Sequence, residues 1–248
     1  MFNEGDRKKL FVVKPLYQRS LIVAAGPFAN FLLAIVIFAF IYMFAGKDFT
    51  PAQIQEVQPE SPAYVAGIKS GDVIQSINER EVKSIMEVST FINASSSETI
   101  DIQVLRKGNK ITLKVKPKFI EGKDSLGNQI NKKIIGIKVA PLNEEINRQR
   151  LGPATALYYA VKETWFVIEA SWEFVISMFK GTGDTSQLGG PIKIAKITGQ
   201  VAKFGVVAFL SIMAYISISL GFINLFPIPM LDGGHLMFYA FEKILGRP

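Results

Sequence analysis

Two long stretches of this chain carry no charged side chain, and the region between them alternates in short steps. The 27 residues between Arg19 and Lys47 and the 28 between Lys203 and Asp232 are free of charge. About 20 apolar residues cross the roughly 30 Å hydrocarbon layer as a helix, so both stretches are long enough to span a bilayer. They predict membrane helices over residues 21–46 and 204–231. Residues 154–180 form a third apolar segment of another kind. Four of its five charges, Lys162, Glu169, Glu173 and Lys180, recur at steps that place them on one narrow stripe of a helix, with Trp165 and Trp172 on a flank. Such a helix lies along a membrane surface more readily than it spans, so residues 150–200 are expected to be amphipathic linker helices there.

The middle of the chain reads as an α+β domain. QIQEV at 53–57 suits a strand, SIMEVSTFINAS a helix, and TIDIQVLR and KITLKVKP two strands of period 2 joined as a hairpin across Lys107-Gly108-Asn109. Between the first strand and the helix stands SPAYVAGIKSGDVIQSIN. In it Pro62, Ala63 and Ala66 form a short helix ended by Gly67, and Gly71-Asp72 makes a tight turn into a strand at Val73–Ile77. This pattern resembles a PDZ domain of the bacterial type, expected over residues 50–141. In circularly permuted bacterial PDZ domains the strand lining the peptide groove comes last, and KKIIGIKVAP at 132–141 is placed for that role. The resemblance implies a groove between Ile134–Val139 and the helix at Met86–Ala94, with Ile135, Gly136 and Ile137 facing a peptide C-terminus and Gly136 admitting close backbone approach. A groove that is filled, with a domain that only packs against the membrane part, is the alternative.

Charge orients these segments. The first apolar run is too long for a secretory signal and begins only after twenty residues that hold Arg7, Lys8, Lys9, Lys14 and Arg19, which mark a cytoplasmic basic segment at 1–20. Two spans then place the middle outside the cytoplasm and return 232–248, with Lys243 and Arg247, to it. The absence of Cys means that the middle holds no disulfide. A net charge of +7 raises nucleic acid as a partner, but its clustering beside the spans explains part of it and no nucleic-acid motif is present, so none is expected.

The candidate chemistry lies where the second uncharged run ends, at GFINLFPIPMLDGGH. A carboxylate at membrane depth is a functional candidate by default, and Asp232 is that carboxylate. Pro227 and Pro229 break the helix before it, and Gly233-Gly234 let the chain turn after it. Asn224 can hydrogen-bond a peptide backbone or a developing oxyanion, or it can join two helices. Gly26, Pro27, Ala29 and Asn30 at the cytoplasmic end of the first span suit close approach of a second helix, or a plain helix start. A GxSxG-like echo near Ser186 has the wrong residue order and no nearby His, which sets aside a serine protease.

NLFPIPMLDGG matches the NxxPxPxLDG motif of the site-2 protease family. With GPFANF ahead of one PDZ domain, the whole chain is similar to the regulator of sigma-E protease branch of peptidase family M50. The expected fold class is therefore a membrane α-helical protein, with two transmembrane helices plus an amphipathic interfacial helix, carrying an inserted α+β PDZ domain. The resemblance implies an intramembrane zinc metalloprotease of the bacterial inner membrane, with the PDZ domain extracytoplasmic. It implies Asp232 as a zinc ligand, Asn224, Pro227 and Pro229 as substrate-binding residues, and single-pass membrane proteins such as anti-sigma factors or remnant signal peptides as substrates. The family's HExxH motif, which supplies two His ligands and the general base, is absent from these 248 residues, so no catalytic residue is assigned. The motif and the family's last transmembrane helix are expected to lie beyond the termini, and Zn2+ is expected in the full-length parent rather than in this chain alone. His235, the single His, is read as a helix-start or interface residue. The competing reading is a non-catalytic, membrane-anchored PDZ module that binds peptide C-termini.

Overall fold

The computed structural model describes Phe11 and residues 14–95, 97–123, 129–142, 146–179 and 191–246. Arg7, Lys8, Lys9, Lys180 and the turn-rich run at 181–190 lie outside the described residues. In chain order the elements are α1 (Leu16–Phe44), β1 (Lys47–Asp48), β2 (Ala52–Val57), α2 (Pro62–Val65), β3 (Val73–Ile77), β4 (Arg80–Glu81), α3 (Ile85–Ala94), β5 (Ile100–Arg106) and β6 (Asn109–Val115). They continue with β7 (Lys118–Lys123), β8 (Gln129–Ile134), β9 (Ile137–Pro141), β10 (Arg148–Gln149), α4 (Pro153–Phe179), α5 (Pro191–Ala202), α6 (Val206–Asn224) and α7 (Asp232–Leu245). They fall into two compact units, one of residues 1–41, 153–171 and 206–248, the other of residues 42–152 and 172–205.

The first unit holds both helices long and apolar enough to cross a membrane, α1 and α6. At 1.5 Å per residue they measure about 43 and 28 Å. α1 begins earlier than the apolar run because the Pro15 carbonyl accepts from the amides of Gln18 (2.9 Å) and Arg19 (3.2 Å). Hydrogen bonding sets the helix end, whereas charge marks only where lipid begins. α6 stops at Asn224, short of the expected 231, because Pro227 has no N–H to continue the ladder and disfavours helical backbone in the residue before it.

The two spans cross at the small residues of GPFANF. Ser217 Oγ donates to the Asn30 carbonyl at 2.8 Å. A Cβ placed on Gly221 would meet the Pro27 carbonyl oxygen and the Phe31 ring, each at 3.0 Å. Pro27, Ala34, Ala214 and Ile218 are buried there, and the Phe38 ring meets Tyr215 edge-on at 5.2 Å. In lipid, helices associate through this kind of close backbone packing and interhelical hydrogen bonding, so the close-approach reading of GPFANF holds. From α4, Glu163 accepts a hydrogen bond from the Tyr215 hydroxyl at 3.0 Å, while Ala156, Ala160 and Thr164 form its buried stripe.

In the second unit an antiparallel sheet runs β6-β5-β3-β2-β9, with β4 added on β3. The last strand lies beside the first, as the permuted PDZ pattern requires. Lys107 (φ 48°) and Gly108 (φ 86°) are both left-handed, the backbone of a two-residue I′ turn that matches the twist of β5 and β6. Alternate residues, Ile100, Ile102 and Val104, enter a core with Ile54, Ile74, Ile77, Val88 and Val115. α2 and α3 close over it. Ser61 caps α2 through Tyr64 N at 3.2 Å, and the Glu87 carboxylate accepts from the amides of Lys83 and Ser84 at the start of α3. The end of α4 belongs to this unit, where Glu173 pairs with Arg80 at 2.9 Å. Burial pushes the Lys133 ammonium down, opposed by the nearby Glu173 charge.

The sequence reading missed two features. β7 and β8 form a separate ribbon between β6 and β9, and β1 pairs β10 at the root of the domain, Lys47 opposite Gln149.

Candidate functional site

Asp232 opens α7, and the chain that precedes it is a tight, non-helical loop. Beyond Asn224 the amides of Leu225 and Phe226 still bond back to Phe222 (3.1 Å) and Ile223 (3.0 Å). Ile228 N then turns onto Phe226 O at 2.7 Å, and Leu231 N onto Ile228 O at 3.1 Å. Met230 stands at φ 78° with its side chain 94% exposed. A left-handed backbone in a residue with a Cβ is strained, and it persists only where its surroundings fix it. Pro227 and Pro229 are exposed and Asn224 is half-buried. The structure thus places Asn224 at the end of α6 and Asp232 at the start of α7, with the proline loop joining them.

The Gly233-Gly234 pair has a different cause from the expected flexibility. Both residues are helical and buried. A Cβ on Gly233 would lie 2.3 Å from the carbonyl oxygens of Leu225 and Phe226, and one on Gly234 would lie 2.3 Å from that of Ile228. The proline loop rests directly on the first turn of α7, and only glycine leaves room for it. Gly233→Ala is expected to force the loop off the helix, at about 3 kcal/mol, the upper end for overpacking. The check is the thermal unfolding midpoint of the detergent-solubilised chain.

The Asp232 carboxylate is half-buried and makes no hydrogen bond or ion pair to any described residue. Its nearest landmark is α1, since a Cβ on Gly26 would lie 3.3 Å from Asp232 Oδ2. The first-turn position places the side chain at the positive end of the helix dipole. His235 is exposed on α7, its ring 6.5 Å from Tyr239, and does not join Asp232 in a ligand cluster: among the described residues no three His, Cys, Asp or Glu side chains come together. Asp232 is chemically suited to bind zinc, but one carboxylate falls short of the three protein ligands a catalytic zinc takes. Sequence reasoning singled out Gly26 for close approach of a second helix but not as the neighbour of Asp232, and it overlooked Ser217, whose hydroxyl on the facing span is the only trace it leaves.

In the second unit Ile135 and Gly136 are buried and Ile137 is half-buried. β9 occupies the end of the sheet, so its outer edge pairs with no strand of that sheet. Gly136 has a role other than the expected one. At φ 77° its missing Cβ would fall 2.3 Å from Ser61 Cβ, while Ile135 O and Gly136 O accept from the amides of Ala63 and Gln58, each at 2.9 Å. The glycine lets the strand seat on the cap of α2.

Relatives match this chain over nearly its whole length. The profile of Peptidase family M50 matches residues 1–248. A protein of Mesorhizobium japonicum named, provisionally, a zinc metalloprotease is 37% identical over 248 residues, covering 99% of this chain and 67% of its own length. One of Rhizobium meliloti with the same kind of name is 36% identical over 246 residues, 98% of this chain and 65% of its own. Metalloprotease MmpA of Caulobacter vibrioides is 32% identical over 262 residues, 99% of this chain and 65% of its own. The chain thus spans about two thirds of the length of these relatives. Among solved structures, the PDZ domain of an SdrC-like protein from Listeria monocytogenes matches 37% of this chain and 88% of its own, at 21% identity and a TM-score of 0.29. With a family profile matched from end to end and relatives above 30% identity across nearly all of it, this membrane chain belongs to peptidase family M50.

Proposed function

We propose that this chain is the substrate-holding part of an intramembrane zinc metalloprotease, contributing Asp232 as one metal ligand and the Asn224–Pro229 segment as a strand-binding edge. The observation that carries the reading is an unpaired carboxylate held against a membrane span by a strained loop. Zinc bound through Asp232 and ligands from outside these residues would lower the pKa of a bound water to near 7. The chain's own residues do the positioning. Pro227 and Pro229 take the loop out of the helical ladder, so an unwound substrate segment can lie along it, and the Asn224 amide offers both donors and an acceptor. The substrates we propose are single-pass membrane proteins, such as anti-sigma factors or remnant signal peptides, met in the bacterial inner membrane with the PDZ unit and the amphipathic 150–200 region on the extracytoplasmic side.

The open edge of β9 favours a second activity, capture of an extended peptide C-terminus between β9 and α3, and on its own it would make the chain a non-catalytic binding module. The two readings part in one experiment. Membranes holding the gene's whole product are given a single-pass substrate with its extracytoplasmic part trimmed. Cleavage that a chelator stops and zinc restores supports the protease; peptide binding without cleavage supports the module. For the groove, Ile137→Lys is expected to weaken binding of a free-carboxylate peptide by about tenfold, or about 1.4 kcal/mol, by fluorescence anisotropy. Unchanged affinity would remove the groove from that role.

A further inference from the structure

Asp232 needs something to fix it, because the chain before it is strained loop and the helix after it is only 14 residues long. α7 meets α1 at a second place. Arg19 Nη2 lies 2.6 Å from Glu242 Oε1, and the Arg19 guanidinium sits over the Tyr239 ring, 5.1 Å from its centre. Arg19 to Gly26 and Asp232 to Tyr239 are both seven residues, about 10 Å of helix. The helices therefore run antiparallel in matched register, Gly26 against Asp232 at one contact and Arg19 against Tyr239 and Glu242 at the other. Asp232, His235, Tyr239 and Glu242 follow at steps of three, four and three, one stripe of α7.

We infer that Arg19, Tyr239 and Glu242 form a clamp whose work is to set the register of α7 on α1 and so hold the Asp232 carboxylate at Gly26. This makes them positioning residues for the site proposed above, and the inference rests on that reading for its functional meaning. A stabilising role explains the cluster less well. The pair is mostly buried, with side chains 15% and 23% exposed, and Arg19 Nε is buried without a partner among the described residues. Half-buried ion pairs return little net stability, and their best-attested use is to select one register. A slip of one residue turns α7 by about 100° and carries Asp232 off α1.

The chain contains no Cys, so a single introduced thiol reports local access. In the full chain in lipid nanodiscs, Asp232→Cys reports the site and Ile223→Cys on α6 serves as control, each read by its rate of alkylation with a water-soluble maleimide. Arg19→Glu or Glu242→Arg is expected to raise the rate at 232 by about tenfold, as for a locally opened helix, and to leave the rate at 223 within about twofold. Combining the two charge reversals restores the original rate at 232. Unchanged rates at 232 in the single variants, equal rises at both reporters, or no restoration in the double variant would each overturn the clamp. Should the single variants fail to accumulate, the double must accumulate, and a double that does not overturns it as well. Restored access at 232 alongside cleavage that does not depend on Asp232 would leave the clamp standing and remove the ligand assignment, so the two claims fail separately.

Discussion

Asp232→Ala is expected to abolish cleavage of a trimmed single-pass substrate by the gene's whole product while leaving the protein inserted and folded. The separation follows from what the carboxylate touches. It bonds to no described residue, and its neighbour on α1 is a glycine, so its removal breaks no packing and leaves no partner unsatisfied. Its structural worth is the interaction of one anion with the first turn of α7, about 0.3–1 kcal/mol. In the proposed site, in contrast, the loss of one of three protein ligands leaves an open coordination set that cannot hold a catalytic zinc in place. Asp232→Asn tests the charge alone, since it keeps the shape and removes the anion, and it is expected to fail as completely. Cleavage assays beside limited proteolysis of the membrane-inserted protein read the two effects apart. Cleavage retained in either variant would remove Asp232 from the metal site.

Much of the architecture was legible because each signal has a local cause. Lys107-Gly108 demands a left-handed pair and the structure supplies one. Pro62 and Gly67 bound a single short helix, and two uncharged runs give two spans. The motif at 224–232 located the candidate site, because a carboxylate ending an apolar run has no solubility reason to be there. What sequence could not show is long-range contact. From the sequence Gly233 looks like a turn residue and Gly136 like a place for close approach of a ligand, yet at each a distant backbone or side chain occupies the place of the Cβ. Arg19 looks like a topogenic charge at the edge of lipid, yet it is bound to a residue 223 positions away. The β7–β8 ribbon escaped because strands separated by a longer connection carry no two-residue turn signal.

Asp72→Ala is expected to cost roughly 3–5 kcal/mol of the stability of the second unit, the range for breaking a buried ion pair. Asp72 is 1% exposed. Its Oδ1 and Oδ2 accept from Arg106 Nε and Nη2, each at 2.7 Å, and Oδ2 also accepts from Lys69 N at 2.9 Å. The same Nη2 donates to the Gly67 carbonyl at 2.8 Å, so one guanidinium joins the end of β5 to the α2–β3 turn. Burial alone would raise the Asp72 carboxyl, but the Arg106 hydrogen bond, the Lys69 amide and the two cations outweigh it and hold the group below its usual range. The sign follows from that direction. A carboxylate whose folded pKa lies below its unfolded value of about 3.9 stabilises at every pH above that value, and its contribution is lost as pH falls through the folded pKa. Thermal unfolding of the second unit in the full chain is therefore expected to hold between pH 7 and pH 5 and to drop below about pH 4. Asp72→Asn should start lower and lose less over the same interval. Arg106→Met is the harsher change, because Arg106 is partly open to water and can be solvated when its partner is gone, whereas Asp72 cannot. Without Arg106 burial pushes the carboxyl up toward and past its unfolded value, so the acid drop should disappear and stability should rise as pH falls. An acid profile unchanged by Asp72→Asn would show that this pair does not set the acid limit of the domain.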